Sequence, residues 1–463
     1  MSQPHKRILL LTIQPPGSSG VQGLIFTKLC PYLQQQEWEF HFAGPSPRLS
    51  SVLHRESNFP TENLHVTANI SNSIRYSIQR NRQPKGSPLR IVYGLLQLTS
   101  KWIEKLTHHN STAYLHQGIG EAAEKAEADW DFDLIAGKSP DFRILEIAAE
   151  LAQRHGKPLL AIYDDPHGQR DSKHFYPDDQ IRQIKVLKQA TNAVFMSPKT
   201  LERYVESGLI EREKCLTITD SYPLDSDLYA KHPPTADPSG RPEAPNQLTI
   251  AHLGNIPEWR PMDSLLEAMI KIQEISNPIR IQLTIYGYLY KRARQMIGGN
   301  PILSSQLIIH PAVSYAASHV IAERADILMV IIGERHVDNQ PSKFFDYLGH
   351  KKPILAVGPP GNPIQSIIES LGIGIFCDVR HPQSIQQGIL KLSAHYSQFT
   401  QSYLDHDTEI TEYSAPTVAK RWIEILDSVH AKSQGASMNR KLSQQAVHSD
   451  PAPPPPPEKP GWR

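Results

Sequence analysis

The chain has 463 residues, enough for two or three domains that each bury a core. Its 48 basic and 47 acidic residues leave a net charge of +1, which gives no general ground for nucleic-acid binding. The cysteines Cys30, Cys215 and Cys377 are far apart and form no CxxC pair, so they read as small buried apolar side chains in a reducing compartment and argue against a disulfide framework or zinc site.

The first residues pass directly into the strand-like run 8–13 (ILLLTI), with no cleavage-site pattern of a secretory signal. No apolar run approaches the ~20 residues of a membrane span. A cytoplasmic protein is the expectation. After the turn-rich segment Pro15-Pro16-Gly17-Ser18-Ser19-Gly20, VQGLIFTKLCPYL has helical spacing. Residues 40–44 (FHFAG), 133–137 (DLIAG), 158–164 (PLLAIYD) and 192–197 (NAVFMS) are short continuous apolar runs bounded by turn residues. Fully buried strands of a parallel sheet have this form. Residues 143–156 (RILEIAAELAQRHG) predict a helix closed by a glycine C-cap. The alternation predicts a doubly wound α/β domain over residues 1–230.

Residues 75–105 carry seven Arg or Lys against one acid. Ile91, Val92, Leu95, Leu96, Leu98, Trp102, Ile103 and Leu106 recur there at helical spacing, with Lys101 and Lys105 on the other side. This suits a peripheral membrane contact over 75–106, and equally an ordinary helix packed on the sheet.

Residues 231–247, rich in proline and without apolar periodicity, predict a linker. A second α/β series then runs through 248–254 (LTIAHLG), 279–287 (IRIQLTIYG), 307–311 (LIIHP), 327–332 (ILMVII), 353–358 (PILAVG) and 372–377 (GIGIFC). It predicts a second Rossmann-like domain over 248–410, then a helix at 411–430 and a disordered proline-rich tail at 431–463. Two such domains enclose a cleft at the carboxyl ends of their strands.

Three segments have residue types suited to chemistry in that cleft. The loop containing Gly17, Ser18, Ser19 and Gly20 would offer backbone N–H groups to a phosphate, although a tight turn needs the same residues. Asp165 and His167 follow the strand-like run 158–164, where acid–base groups face a cleft; an aspartate before proline also caps helices. In the segment Asp338-Asn339-Gln340-Pro341-Ser342-Lys343-Phe344-Phe345-Asp346, Ser342 suits an N-cap, and Lys343 would lie beside a diphosphate. Asp346 lies one turn into that helix, and Asp338 lies eight residues earlier in the loop.

The stretch PSKFFDYLGHKKPILAVGPPGNPIQSIIESLGIGI resembles the donor-site region of retaining glycosyltransferases of family four, as found in bacterial exopolysaccharide, capsule and O-antigen synthesis. The resemblance extends to AHLGNIPEWRPMDSLLEAM, HPAVSYAASHVIAERADILMV and EYSAPTVAKRWIEIL. It implies the GT-B fold, with two Rossmann-like domains and a last helix that crosses back to the first. It also implies sugar transfer with retained configuration from a UDP- or GDP-sugar to a glycan or polyprenyl-linked acceptor, without a bound metal or other cofactor. Asp346 would then accept the ribose hydroxyls and Asp338 would meet the sugar, aspartates standing where the family has glutamates. The family grips the diphosphate with an arginine and a lysine; here Asn255 stands at the arginine position, and Arg260 and Lys343 are the available cations. Tyr288 and the Val313-Ser314-Tyr315 loop, at strand ends, are expected base contacts.

Other readings remain. Asp129-Trp130-Asp131 forms a DxD, the metal-binding signature of another glycosyltransferase fold, but it precedes its strand and suits a solvated turn. A nicotinamide-dependent oxidoreductase would fit two Rossmann-like halves but lacks GxGxxG followed by an acid. A catalytically silent nucleotide-sugar binding or scaffold protein fits Asn255 and the proline tail.

Overall fold

The computed structural model describes residues 6–18, 20–33, 37–45, 61–67, 83–107, 111–168, 177–224, 247–275 and 280–447. Ser19, the linker at 231–246 and the polyproline segment at 448–463 lie outside these residues.

The first sheet contains β1 (Lys6–Leu11), β2 (Trp38–Pro45), β3 (Leu64–Thr67), β4 (Leu134–Lys138), β5 (Leu159–Tyr163), β6 (Asn192–Phe195) and β7 (Cys215–Thr217), in the order β3-β2-β1-β4-β5-β6-β7. All its pairings are parallel. The second contains β8 (Gln247–Leu253), β9 (Arg280–Tyr286), β10 (Leu307–His310), β11 (Ile327–Ile331), β12 (Ile354–Gly358) and β13 (Gly374–Asp378), in the order β10-β9-β8-β11-β12-β13. It too is fully parallel. Both are doubly wound, with the order reversing between β1 and β4 and between β8 and β11.

Burial on both faces explains the continuous apolar runs. Leu9 and Leu11 enter one core with Ile135 and Ala161, whereas Ile8 and Leu10 enter the opposite core with Leu134 and Ile162. Alternate side chains point to opposite faces, so a sheet covered on both sides needs apolar residues at every position. The second sheet repeats this, with Met329 on one face and Leu328 and Val330 on the other. The edge strands β3 and β7 were not predicted; at four and three residues they are too short for a periodic signal.

Between β4 and β5, the helix Phe142–His155 begins at Asp141, whose side chain accepts the Arg143 N–H, and ends on Gly156 at φ 65°. The DxD lies at the amino end of β4. Asp131 pairs with Lys157 at 2.6 Å and Asp133 accepts the Arg7 N–H at 2.8 Å, on the side of the sheet away from the cleft.

The chain leaves the first domain and returns to it at one place. Tyr222 donates its N–H to the Tyr413 carbonyl (3.0 Å) and accepts the Ala415 N–H (2.9 Å). The last helix, Ala415–Val447, then lies along the helix Val21–Leu33. Val418, Trp422, Leu426 and Val429 complete the first domain's core, with Trp422 against Phe26 at 5.8 Å. This helix corrects the expected disorder from residue 431, since it continues to Val447. Beyond Val429 it is rich in Ala, Lys, Gln and Arg and free of proline, so propensity carries it past the surface that anchored it.

Candidate functional site

The carboxyl ends of both sheets face each other across a cavity of about 920 Å³. The second domain contributes two cations. Lys343 lies in the first turn of the helix Ser342–Gly349, and its Nζ donates to His252 Nε2 at 3.3 Å. His252 is fully buried on β8, and its Nδ1 faces the Met329 carbonyl at 2.9 Å. Burial and then the nearby Lys343 hold the imidazole well below its ordinary pKa, so it is neutral, with Nδ1–H donating and Nε2 accepting. Lys343 is pushed down to about 7, first by burial and then by the Arg260 guanidinium. Arg260 lies over the Trp259 ring at 4.5 Å, and its buried Nε has no acceptor among the described residues.

Local backbone fixes this pair. Gly254, directly after β8, has φ 136°, and a Cβ there would come within 2.6 Å of Lys343 Nζ. Only glycine allows the ammonium so close to the strand end. Asn255 stands where the resemblance in sequence places an arginine. Its Oδ1 accepts the Tyr288 N–H at 2.8 Å and its carbonyl faces Arg260 at 3.4 Å, so it closes the loop that presents Arg260.

Asp346, one turn after Lys343 on the same helix, lines the cavity with the two cations. Its Oδ1 accepts from the Tyr315 hydroxyl at 2.8 Å and from Lys28 Nζ at 3.1 Å. Lys28 comes from the first domain and is only 3% exposed. It also pairs with Asp220 at 2.8 Å and donates to the Ser221 carbonyl at 2.5 Å. Burial lowers its basicity, but the two carboxylates outweigh that and leave the pKa raised. Asp165 reaches the cavity from the end of β5 and accepts from Asn339 at 2.5 Å. Burial away from water raises its pKa despite Lys138 and Arg260 nearby.

Val313 and Ser342 are on the cavity wall with Arg260, Lys343 and Asp346. Ser342 is the first helical residue and not the cap; Pro341 precedes the helix, without a side-chain cap bond. Several expected site residues are elsewhere. Asp338 is buried and ion-paired with Arg203 of the first domain, so its carboxylate is spent on a domain contact, while Asn339 and Gln340 face the cavity. His167 stacks on Phe142 at 4.3 Å and its Nε2 lies 3.3 Å from Asp179, turned beneath the domain surface. Gly17 donates its N–H to Thr27 and Ser18 donates to the Pro15 carbonyl, making a turn whose residues do not line the cavity. Gly20 is likewise off the wall, crossed by the Gln14 side chain, whose Oε1 accepts the Gln22 N–H. Gln14 and Gln22 face the cavity instead. Tyr288 is 54% exposed and points outward; Tyr286, stacked on His310 at 4.7 Å, lines the cavity in its place.

Lys28, Asp220 and His252 were not predicted, and Tyr315, expected with its loop as a base contact, donates its hydroxyl to Asp346. A lone lysine inside the apolar helix LIFTKLC and a lone histidine inside the apolar strand LTIAHL were the available signals. Among the described residues, no group of three His, Cys, Asp or Glu side chains is placed to hold a metal ion.

No family model matches the chain, and no curated protein matches it in sequence. Solved structures do. HepE of Anabaena, in complex with UDP-glucose, is 14% identical, with a TM-score of 0.60 over 92% of this chain and 100% of that one. Sucrose-phosphate synthase from Thermosynechococcus elongatus is 13% identical, with a TM-score of 0.61 over 92% and 99%. The fold is GT-B. A UDP-N-acetylglucosamine 2-epimerase is also similar, at 10% identity and a TM-score of 0.53 over 92% and 95%, so this architecture serves more than one reaction.

Proposed function

We propose that the chain is a hexosyltransferase that moves a sugar from a UDP- or GDP-sugar to a glycan or polyprenyl-linked acceptor, with retained configuration, in cell-envelope or extracellular polysaccharide synthesis in the cytoplasm. The observation that carries this reading is that Lys343, Arg260 and Asp346 line one cavity at the carboxyl end of the second sheet. Lys343, Arg260 and the first-turn N–H groups of the helix Ser342–Gly349 form an anion site suited to a diphosphate. Asp346 retains Oδ2 to accept a ribose hydroxyl, and Tyr286 and Val313 line the same wall toward the base. Asn339, Gln340 and Asp165 then stand at the sugar end, a place that Asp338 does not fill.

In this mechanism the cations hold the diphosphate as it takes up negative charge on leaving, in a cleft whose low dielectric strengthens the attraction. The lone nitrogen of Arg260 gains an acceptor only when an anion arrives.

Thermal stabilisation of the protein by UDP-, GDP- and ADP-sugars and by NAD, with Lys343→Ala alongside, tests the reading. Stabilisation by one nucleotide sugar, lost in the variant, supports it. A response to NAD alone overturns it in favour of an oxidoreductase. Nucleotide-sugar binding without sugar release or transfer, to water or to any glycan or lipid acceptor, would identify a silent binding protein. Conversion of the donor to an epimer would identify an epimerase. The anomeric configuration of the first product, read by NMR, tests retention.

A further inference from the structure

In the first domain, the insertion between β3 and β4 contains the helix Pro88–Thr107, whose apolar face points away from the protein. Seventeen large apolar side chains are exposed among the described residues, and seven of them lie on this helix. Ile91 and Trp102 are each 67% exposed, and Leu95 and Leu98 each 57%. The face toward the domain is polar or small. Gly94 is buried, while its neighbour Tyr93, and Arg90 and Gln97 one helical turn to either side, are half-buried. A helix that merely covered a sheet would show the opposite arrangement, because burial of its apolar stripe is what stabilises it there.

The charge of this stretch of sequence is equally one-sided. Residues 75–105 hold seven Arg or Lys and one acid, in a chain whose net charge is +1. No described helix is long and apolar enough to cross a membrane, so the apolar face would lie along a surface. Its 20 residues make a rod about 30 Å long, with Trp102, an aromatic ring with a polar edge, toward its carboxyl end.

We infer that this helix docks the first domain onto an anionic lipid surface, with Ile91, Leu95, Leu98 and Trp102 entering the headgroup–acyl boundary and the flanking cations meeting the headgroups. A second copy of the chain fits less well, since a symmetric contact would set the same strongly basic stretch of sequence against itself. The docking stands on the helix alone. That it brings a lipid-linked acceptor to the cleft rests on the transferase reading.

Flotation of the full chain with vesicles of phosphatidylcholine, alone or with one-third phosphatidylglycerol, tests the inference without reading activity. We expect binding to the anionic vesicles to be at least about ten-fold tighter, to weaken in high salt and to be lost in Ile91→Glu/Leu95→Glu. Both positions are exposed, so the variant should keep the wild-type melting temperature and nucleotide-sugar response. Absence of binding, or equal binding to neutral vesicles at every salt concentration, overturns the inference. So does self-association that the double variant abolishes while lipid binding is absent, because the face would then be a protein interface.

Discussion

Lys28 and Asp346 belong to different domains, yet the Nζ of one lies 3.1 Å from Oδ1 of the other. The lysine's three protons are matched by Asp346, Asp220 and the Ser221 carbonyl. The acid proposed to meet the donor is therefore also one of the points at which the second domain is tied to the first. A donor arriving at Asp346 must share it with that tie, which couples occupancy of the cleft to the spacing of its walls.

Lys28→Met should be among the most damaging single substitutions in the first domain. It leaves Asp220 buried without its cation, and removal of one member of a buried pair costs about 3–5 kcal/mol. Asp346→Asn leaves the Lys28–Asp220 pair in place and should cost about 1 kcal/mol. Denaturant unfolding of both variants checks the order; equal losses would mean that Lys28 is not held as described.

Arg260→Ala should separate binding from stability. The guanidinium rests on the exposed Trp259 ring, so melting should change little. A charged hydrogen bond to the diphosphate is worth about 1.5–3 kcal/mol, so affinity for a nucleotide sugar should fall about 10- to 100-fold. Titration calorimetry reads this directly.

The pH dependence of binding should follow Lys343. A lysine in the unfolded chain titrates near 10.4, and in the empty site this one titrates at about 7. Between these values the unfolded chain binds more protons, so this group makes stability rise with pH through that window. The burial penalty on the ammonium is fully present below pH 7. An anionic diphosphate restores the proton, so binding should take up a proton above about pH 7 and weaken as pH rises. Calorimetry of a nucleotide sugar in two buffers of different ionisation heat measures the uptake, and Lys343→Met should abolish it.

Gly254→Ala tests the backbone that seats the lysine. At φ 136° an alanine is strained by about 1–3 kcal/mol, and its Cβ would meet Nζ at 2.6 Å. Loss of nucleotide-sugar binding with a lowered melting temperature is expected. Wild-type binding would show that Lys343 does not need that seat.

The two-domain α/β architecture was legible in the sequence because strands covered on both faces must be apolar at every position, and runs such as 327–332 record this locally. That Lys343 and Asp346 share one wall of the cavity was legible for a related reason, since three residues along one helix fix their relative placement. Asp338 and His167, expected in the cleft, are not on the cavity wall. Strand ends bring loops to the cleft, but the direction of each loop side chain depends on partners such as Arg203 and Phe142, which no local period reveals. Lys28 and Asp346 are 318 residues apart in the chain, so only packing of the first helix against the second domain could join them. The sequence by itself determined the two doubly wound parallel-sheet domains, through the inner strands that both faces bury. The tertiary structure alone decided which charges are spent in holding the domains together and which remain for a ligand, because long-range ion pairing and desolvation are set by neighbours and not by spacing.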